Sequence, residues 1–309
     1  MSILMSNEII NAVTNELKSA TSSVQIITAY CKEKSFNYLN GCISSSVEDK
    51  RLLVRFRLDD IIKGSTDFSI LDFGIKAGWK VYVRFDLHAK TYIVDNKRGL
   101  VGSANVTGSG LSIGKVGNME MASLTDIEPQ DLEKIEKLFE DAIYVDSDIY
   151  EKMKKQIDDI NMDKAANKET FKWDNSITSL FNPHIETLFS YELPEERELI
   201  DGNYLSFLDE TLSGDIEKIK ESFRWSNSYL WLISLLKKHG GSMFFGEITS
   251  ELHNALVTDP KPYRRDVKIM LQNLLAIISE LEMEEVIIDQ PNYSQRVSLT
   301  QDYFHLSIK

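Results

Sequence analysis

The order of apolar and polar positions divides the chain into three stretches with different rhythms. Over residues 1–126 helical and strand periods alternate. "NEIINAVTNELKS" (7–19) has helical spacing, and "SVQIITAYC" (23–31) is the short, nearly continuous apolar run of a buried strand. A helix near 35–44, a strand "RLLVRFRL" (51–58), a helix at 69–77 and a strand "KVYVRF" (80–85) follow. "HAKTYIVD", "RGLVGSANVT" and "NMEMASLT" (118–125) complete the stretch as strands. The pattern predicts an α/β domain, a mixed sheet flanked by helices. The opening "MSILMSNEIINAVTNELKSA" reads as an amphipathic helix and not as a signal peptide, because it lacks a basic segment followed by an apolar one.

Residues 127–224 predict a polar, mostly helical connector, with amphipathic helices at 128–143 and 146–160 and linkers at 163–176 and 190–204. The last stretch, 225–309, changes again. "SNSYLWLISLLKKHGG" (226–241) is a helix closed by glycine. "FGEITSELHNAL" (245–256) is a second helix, and "PYRRDVKIMLQNLLAIISELE" (262–282) a third, opened by proline. "EEVIIDQPNYSQRVSLT" (284–300) reads as two strands around a Pro-Asn turn. Three helices followed by a hairpin predict a winged-helix-like α+β domain.

Charge sharpens this division. The 309 residues carry a net charge of −13, but residues 1–126 hold 15 Lys/Arg against 13 Asp/Glu, 127–224 hold 12 against 25, and 225–309 hold 8 against 10. The acidity therefore sits in the connector, which argues against long, nonspecific tracking along nucleic acid but leaves basic grooves open at either end. Cys31 and Cys42 are the only cysteines, which suits a reducing, cytoplasmic setting, and no Cys/His spacing fits a zinc site. No run of 18 apolar residues exists to span a membrane. No cofactor is expected.

The chemistry concentrates in "HAKTYIVDNKRGLVGSANVTGSGL" (88–111). Residues two apart on a strand share a face, so His88, Lys90 and Tyr92 align, as do Ser103 and Asn105. A turn centred near Lys97 would set Lys90 opposite Asn105. From alternation alone, an ordinary hairpin with a polar face accounts for these residues. The same set also suits a phosphodiester. An ammonium and an amide donate to phosphoryl oxygens, while an imidazole attacks phosphorus or protonates a leaving oxygen.

His88-x-Lys90-x4-Asp95-x6-Gly102-Ser103-x-Asn105 resembles the HKD motif of the phospholipase D superfamily, and "GNMEMA" supplies its trailing acidic position at Glu120. The resemblance covers about residues 6–125. It implies that His88 is the nucleophile, that Lys90 and Asn105 bind phosphoryl oxygens with Ser103 beside them, and that Glu120 orients the imidazole. Asp95, past the strand end, serves either the site or the turn. Family members use two such motifs. This chain has one, so the resemblance implies a homodimer with a shared site. The flanking text is similar to the nuclease domains of metal-independent restriction endonucleases, which implies DNA as substrate, with RNA left open, and a role in restriction or phage defence. A lipid phosphodiesterase or phosphatidyltransferase, and a non-catalytic DNA-binding regulator, are the alternatives.

For the tail, Arg264, Arg265 and Lys268 at the start of the third helix suit phosphates, and Gln272 and Asn273 suit base edges. Arg296 in the wing adds one cation. Arg55, Arg57 and Arg84 either line a phosphate groove or pair with Asp59, Asp60 and Asp86, the latter being favoured. Tyr30, Phe85 and Tyr92 either pack in the core or flank a base, the core being favoured.

Overall fold

The computed structural model describes residues 2–114, 117–160, 171–194, 204–205, 210–211 and 216–305. They fall into two compact units. The first takes the described residues up to 160 together with 171–177, and the second takes those from 178 onward.

The first unit is built on an eight-stranded mixed sheet. Its strands are β1 (Ser2–Met5), β2 (Ser23–Thr28), β3 (Asp49–Arg55), β4 (Lys80–Arg84), β5 (Thr91–Val94), β6 (Arg98–Gly102), β7 (Met121–Asp126) and β8 (Ile143–Tyr144). They lie in the order β1-β7-β6-β5-β2-β3-β4-β8. β2, β3 and β4 run parallel, and β2 pairs antiparallel with β5. The parallel strands need crossovers, which α2 (Glu33–Asn40) and α4 (Ile70–Lys76) supply, with the short α3 (Leu58–Ile62) between them. Because these strands are covered on both faces they read as apolar runs: all six residues of β2 are buried. One face of the sheet receives Ile9, Val13 and Leu17 of α1 (Asn7–Ser19). The other receives Phe139 of α5 (Pro129–Glu140), which clusters with Ile27, Leu53, Leu87 and Ile93.

Three expectations change here. Ser2–Met5 do not extend the helix. Ser2–Met5 pair with Leu124–Met121, because β7 offers an open edge to an extended segment. The first unit also does not stop at 126. β8 adds to the sheet beside β4, and Arg51 holds Glu136 through two hydrogen bonds of 2.7 Å. Downstream, after α6 (Ser147–Asp159), Trp173 stacks on Phe56 with ring planes 2° apart. The connector's helices are thus layers of this unit, drawn in by their apolar residues. Within the 163–176 linker, 171–176 packs here, and 163–170 lies outside the described residues.

The third change is the register of the hairpin. Thr91 pairs with Val101 and Val94 with Arg98, so the turn centres on Asn96 and Lys90 faces Gly102, not Asn105. Asp95 and Asn96 both take positive φ, 53° and 55°. Asx residues tolerate that region best, and this decides where the chain reverses.

The second unit has α7 (Ile216–Arg224), α8 (Asn227–Lys238), β9 (Ser242–Phe244), α9 (Phe245–Ala255), α10 (Arg264–Glu280), β10 (Val286–Asp289) and β11 (Arg296–Leu299). The three strands form an antiparallel sheet in the order β9-β11-β10. Leu232, Leu236, Ile248, Leu252, Leu271, Leu274 and Val297 fill its core. Leu188 and Leu193, from the expected 190–204 linker and its approach, are buried in the same core; 195–203 lie outside the described residues.

Candidate active site

The site assembles where β5 and β7 begin and β6 ends, beside the C-terminal end of β2. The Gly-Ser-Ala-Asn segment crosses there in a tight space. A Cβ on Gly102 would stand 2.5 Å from both the Ala122 Cβ and the Met121 carbonyl, so only glycine allows β6 to approach β7 this closely. Ser103 then leaves the ladder. Its amide donates to the Met121 carbonyl and its Oγ accepts from the Met121 amide at 3.0 Å.

Lys90 is buried, and its Nζ donates to the His88 carbonyl at 2.6 Å. That bond folds the ammonium back toward the residue carrying the imidazole. His88 itself is exposed, and its ring makes no hydrogen bond among the described residues. Burial, then the positive charges of Lys90, Arg55 and Arg57, hold the imidazole pKa below its ordinary value. Burial, then Arg55, likewise pull Lys90 below the usual ammonium value, with Glu120 opposing.

Asn105 is set by the end of β2. Its Oδ1 accepts from the Tyr30 amide at 3.0 Å and from the Thr28 hydroxyl at 3.3 Å. With the carbonyl end occupied, Nδ2 is the donor left to offer a ligand, and it has no protein partner among the described residues. Glu120, also buried, accepts from the Ser103 hydroxyl and, at 3.1 Å, from Asn118 Nδ2. It therefore anchors Ser103. The expected bond from Glu120 to the imidazole is not present, because Ser103 and Asn118 hold its oxygens.

Asp95 lies at the other end of the hairpin. Its carboxylate accepts from the amides of Thr21, Ser22 and Ser23 and from the hydroxyls of Thr21 and Ser22. Burial works against the charge, but the Ser23 and Ser22 amides and the two hydroxyls outweigh it, and the pKa falls well below the carboxylate range. Five residues of extended chain put Asp95 about 17 Å from Lys90. Its inclusion with the site residues is corrected: it ties the hairpin tip to the start of β2.

Arg55 pairs with Asp60, stacks over the Tyr30 ring at 4.6 Å and donates to the Tyr30 hydroxyl. Arg84 pairs with Asp86, and Arg57 donates to the Phe85 carbonyl. Phe85 and Tyr92 are buried as expected, while Tyr30 links Arg55 to Asn105. Thr28 and Asn118 are contributors that sequence reasoning did not single out, and Tyr30, favoured there as a core residue, joins them. Thr28 and Tyr30 are hidden in an apolar run, where period alone reads them as core.

In the second unit Arg264, Arg265, Lys268 and Gln272 are exposed on α10. Asn273 is buried and donates to the Pro194 carbonyl, so it cannot meet a base. Arg296 is engaged by Asp289 through hydrogen bonds of 3.0 and 2.6 Å, so it is no free wing cation. Among the described residues no helix is long and apolar enough to cross a membrane.

Residues 13–143 match a family model described as cardiolipin synthase, PLD-like domain. They form a domain of the phospholipase D superfamily. Several solved structures resemble the chain weakly over this PLD-like domain. Nuc from Salmonella typhimurium, a phospholipase D family member, shares 18% identity, with 47% of this chain and 99% of that one covered at a TM-score of 0.37. NucT from Helicobacter pylori shares 15% identity, covering 47% and 98% at 0.36. A phosphatidylserine synthase from Haemophilus influenzae shares 11%, covering 44% and 35% at 0.37. A comparison with curated proteins finds no match. The matched residues have the PLD-like phosphodiesterase fold, which suggests an enzyme of that type.

Proposed function

We propose that the protein is a homodimeric nuclease that cleaves DNA phosphodiester bonds without a metal ion, through a phosphohistidine. The observation that carries this reading is the set around His88. Burial and the charges of Lys90, Arg55 and Arg57 lower the pKa of an exposed imidazole, Lys90 is buried two residues on, and the Asn105 amide is oriented by the Tyr30 backbone. A neutral imidazole is the nucleophilic form, and the ammonium and amide suit the charge that grows on phosphoryl oxygens. One imidazole nitrogen attacks phosphorus as the P–O bond to the leaving sugar oxygen breaks. The protonated His88 of a second copy gives its proton to that oxygen. Water then attacks the phosphohistidine, the second imidazole takes the water's proton, and the P–N bond breaks. Ser103, held by Glu120, fixes the segment carrying Asn105.

The second unit supports a DNA-reading role. Its order of helix, strand, two helices and two strands suits a winged helix, with α10 as the helix presented to the duplex. Arg264, Arg265 and Lys268 would meet phosphates and Gln272 a base edge. A role in restriction or phage defence, inside the cytoplasm, fits this pairing of a nuclease with a DNA reader. The test is incubation of plasmid, single-stranded DNA and RNA in EDTA, wild type against His88→Ala. Cleavage by the wild type alone is expected; loss of wild-type cleavage in the chelator overturns the reading. The family model's description favours a second reading, phosphatidyl transfer, which predicts turnover of phospholipid vesicles in place of DNA.

A further inference from the structure

Three arginines on the parallel strands of the first unit are spent in different ways. Arg51 on β3 gives Nη1 and Nη2 to Glu136. Arg84, the last residue of β4, uses all three nitrogens, two on Asp86 and one on the Leu138 carbonyl. Arg55, the last residue of β3, is held as firmly but not completely. Its Nε and Nη2 donate to Asp60 at 2.8 and 3.0 Å, Nη2 also donates to the Tyr30 hydroxyl, and the Tyr30 ring lies under the guanidinium at 4.6 Å. These contacts fix the plane of the fork and two of its nitrogens. Nη1 has no protein partner among the described residues, and it is not closed off from solvent.

The strand register says where this nitrogen stands. Thr91, Ile27 and Leu53 lie abreast on β5, β2 and β3. Lys90 and Arg55 therefore leave the sheet at the same end, two strand spacings or about 10 Å apart across it. That end is the carboxyl end of β2 and β3, where open α/β sheets take their ligands. Asp60 does not cancel the charge of Arg55 there. Burial leads the lowering of the His88 and Lys90 pKa values, and Arg55 adds to both. An ion pair that only braced β3 against α3 needs Asp60 alone. Tyr30, whose amide orients Asn105, ties the fork to the segment that shapes the site.

We infer that Arg55 is a substrate-binding residue, and that its Nη1 donates to an oxygen of the phosphate next to the scissile one. This rests on the proposed nuclease reading and names a contact on its substrate. The scissile phosphate already has Lys90 and Asn105, and the same pair again from a second copy. A polynucleotide laid across the strand ends carries its next phosphate away from His88, toward the one oriented cation with a donor to spare. A planar, pre-aimed guanidinium suits a phosphate oxygen better than a free lysine does.

The experiment measures KM and kcat for plasmid DNA in EDTA with the wild type, Arg55→Lys and Tyr30→Phe, and follows folding by calorimetry. Bis(p-nitrophenyl) phosphate, which offers a single phosphate, is the control substrate. Lysine keeps a charge near His88 but has one nitrogen, which Asp60 takes. Tyr30→Phe keeps the ring and the amide and releases Nη2. A contact beside the reacting centre acts alike on ground and transition states, so it shows in KM. Arg55→Lys should raise KM for DNA about tenfold or more, the scale of one lost charge-assisted hydrogen bond, with kcat within about threefold. Tyr30→Phe should raise it in the same direction by about threefold. Should Arg55→Lys not fold, that smaller rise carries the same support. An unchanged KM for DNA in the folded variants overturns the inference while the nuclease stands. So does a KM rise shared equally by the control substrate, or a loss confined to kcat. A wild type that leaves DNA intact overturns the nuclease reading and this inference together.

Discussion

Replacing Asp95 separates a residue that builds the site from one that performs its chemistry. In Asp95→Ala five hydrogen bonds to the Thr21–Ser23 corner disappear. Thr21 and Ser22 are exposed, so water can take up their amides and hydroxyls at little cost. Ser23 is buried, and its orphaned amide costs about 1–3 kcal/mol. Alanine at a φ of 53° adds roughly 1 kcal/mol. The sum is about 3 kcal/mol, which for a unit of this size lowers the transition by about 6–12 °C. Asp95→Asn keeps an acceptor and tolerates the backbone, and should lose about half as much. The folded pKa is depressed, so this stability is present above the unfolded value near 4 and is lost as pH falls below it. The gap between wild type and Asp95→Ala therefore narrows in acid. Calorimetry at several pH values measures the gap, and cleavage assayed well below the transition should stay within about threefold of wild type. A variant with an unchanged transition and cleavage reduced more than about 100-fold would refute the structural role.

His88→Ala should abolish cleavage while leaving the melting temperature within about 1 °C, because the ring is exposed and makes no hydrogen bond among the described residues; calorimetry and a plasmid assay check both. The pH profile should peak below the ordinary imidazole value of about 6.5. The lowered pKa makes the protonated partner the scarce form at neutral pH, and a maximum above 8 would contradict it. Gly102→Ala should destabilise the first unit by about 2–3 kcal/mol, read by denaturant unfolding, since its Cβ meets backbone and a neighbouring Cβ that cannot retreat. Lys268→Ala should weaken DNA binding alike across sequences and flatten its salt dependence by about one unit of slope, whereas Gln272→Ala should change sequence preference.

The helices α1, α8, α9 and α10 were legible in the chain because their apolar residues recur at helical spacing over three turns or more. The spacing from His88 to Asn105 was legible as a motif. What escaped has a common physical origin, in pairings made with distant partners. Nothing local in Ser2–Met5 says that β7 has an open edge, and two residues at Ile143–Tyr144 are too few to show a period. The hairpin register turned on positive φ at Asp95 and Asn96, one residue earlier than the turn was set. Charge balance misled in the connector: α5 is acidic on its wet side, yet Phe139 on the other side binds it to the sheet. Arg296 and Asn273 looked available because the partners that occupy them, Asp289 and Pro194, are not neighbours in the chain.

The lock on Asn105 has a bearing on the order of events during folding. His88 to Asn105 can close into a hairpin from local contacts alone, within microseconds. The amide that orients Asn105 belongs to Tyr30, 75 positions away, and arrives only when β2 enters between β3 and β5. Closing that long loop is slow compared with a hairpin. On refolding the hairpin thus forms before Asn105 is oriented, and recovery of turnover should trail recovery of secondary structure.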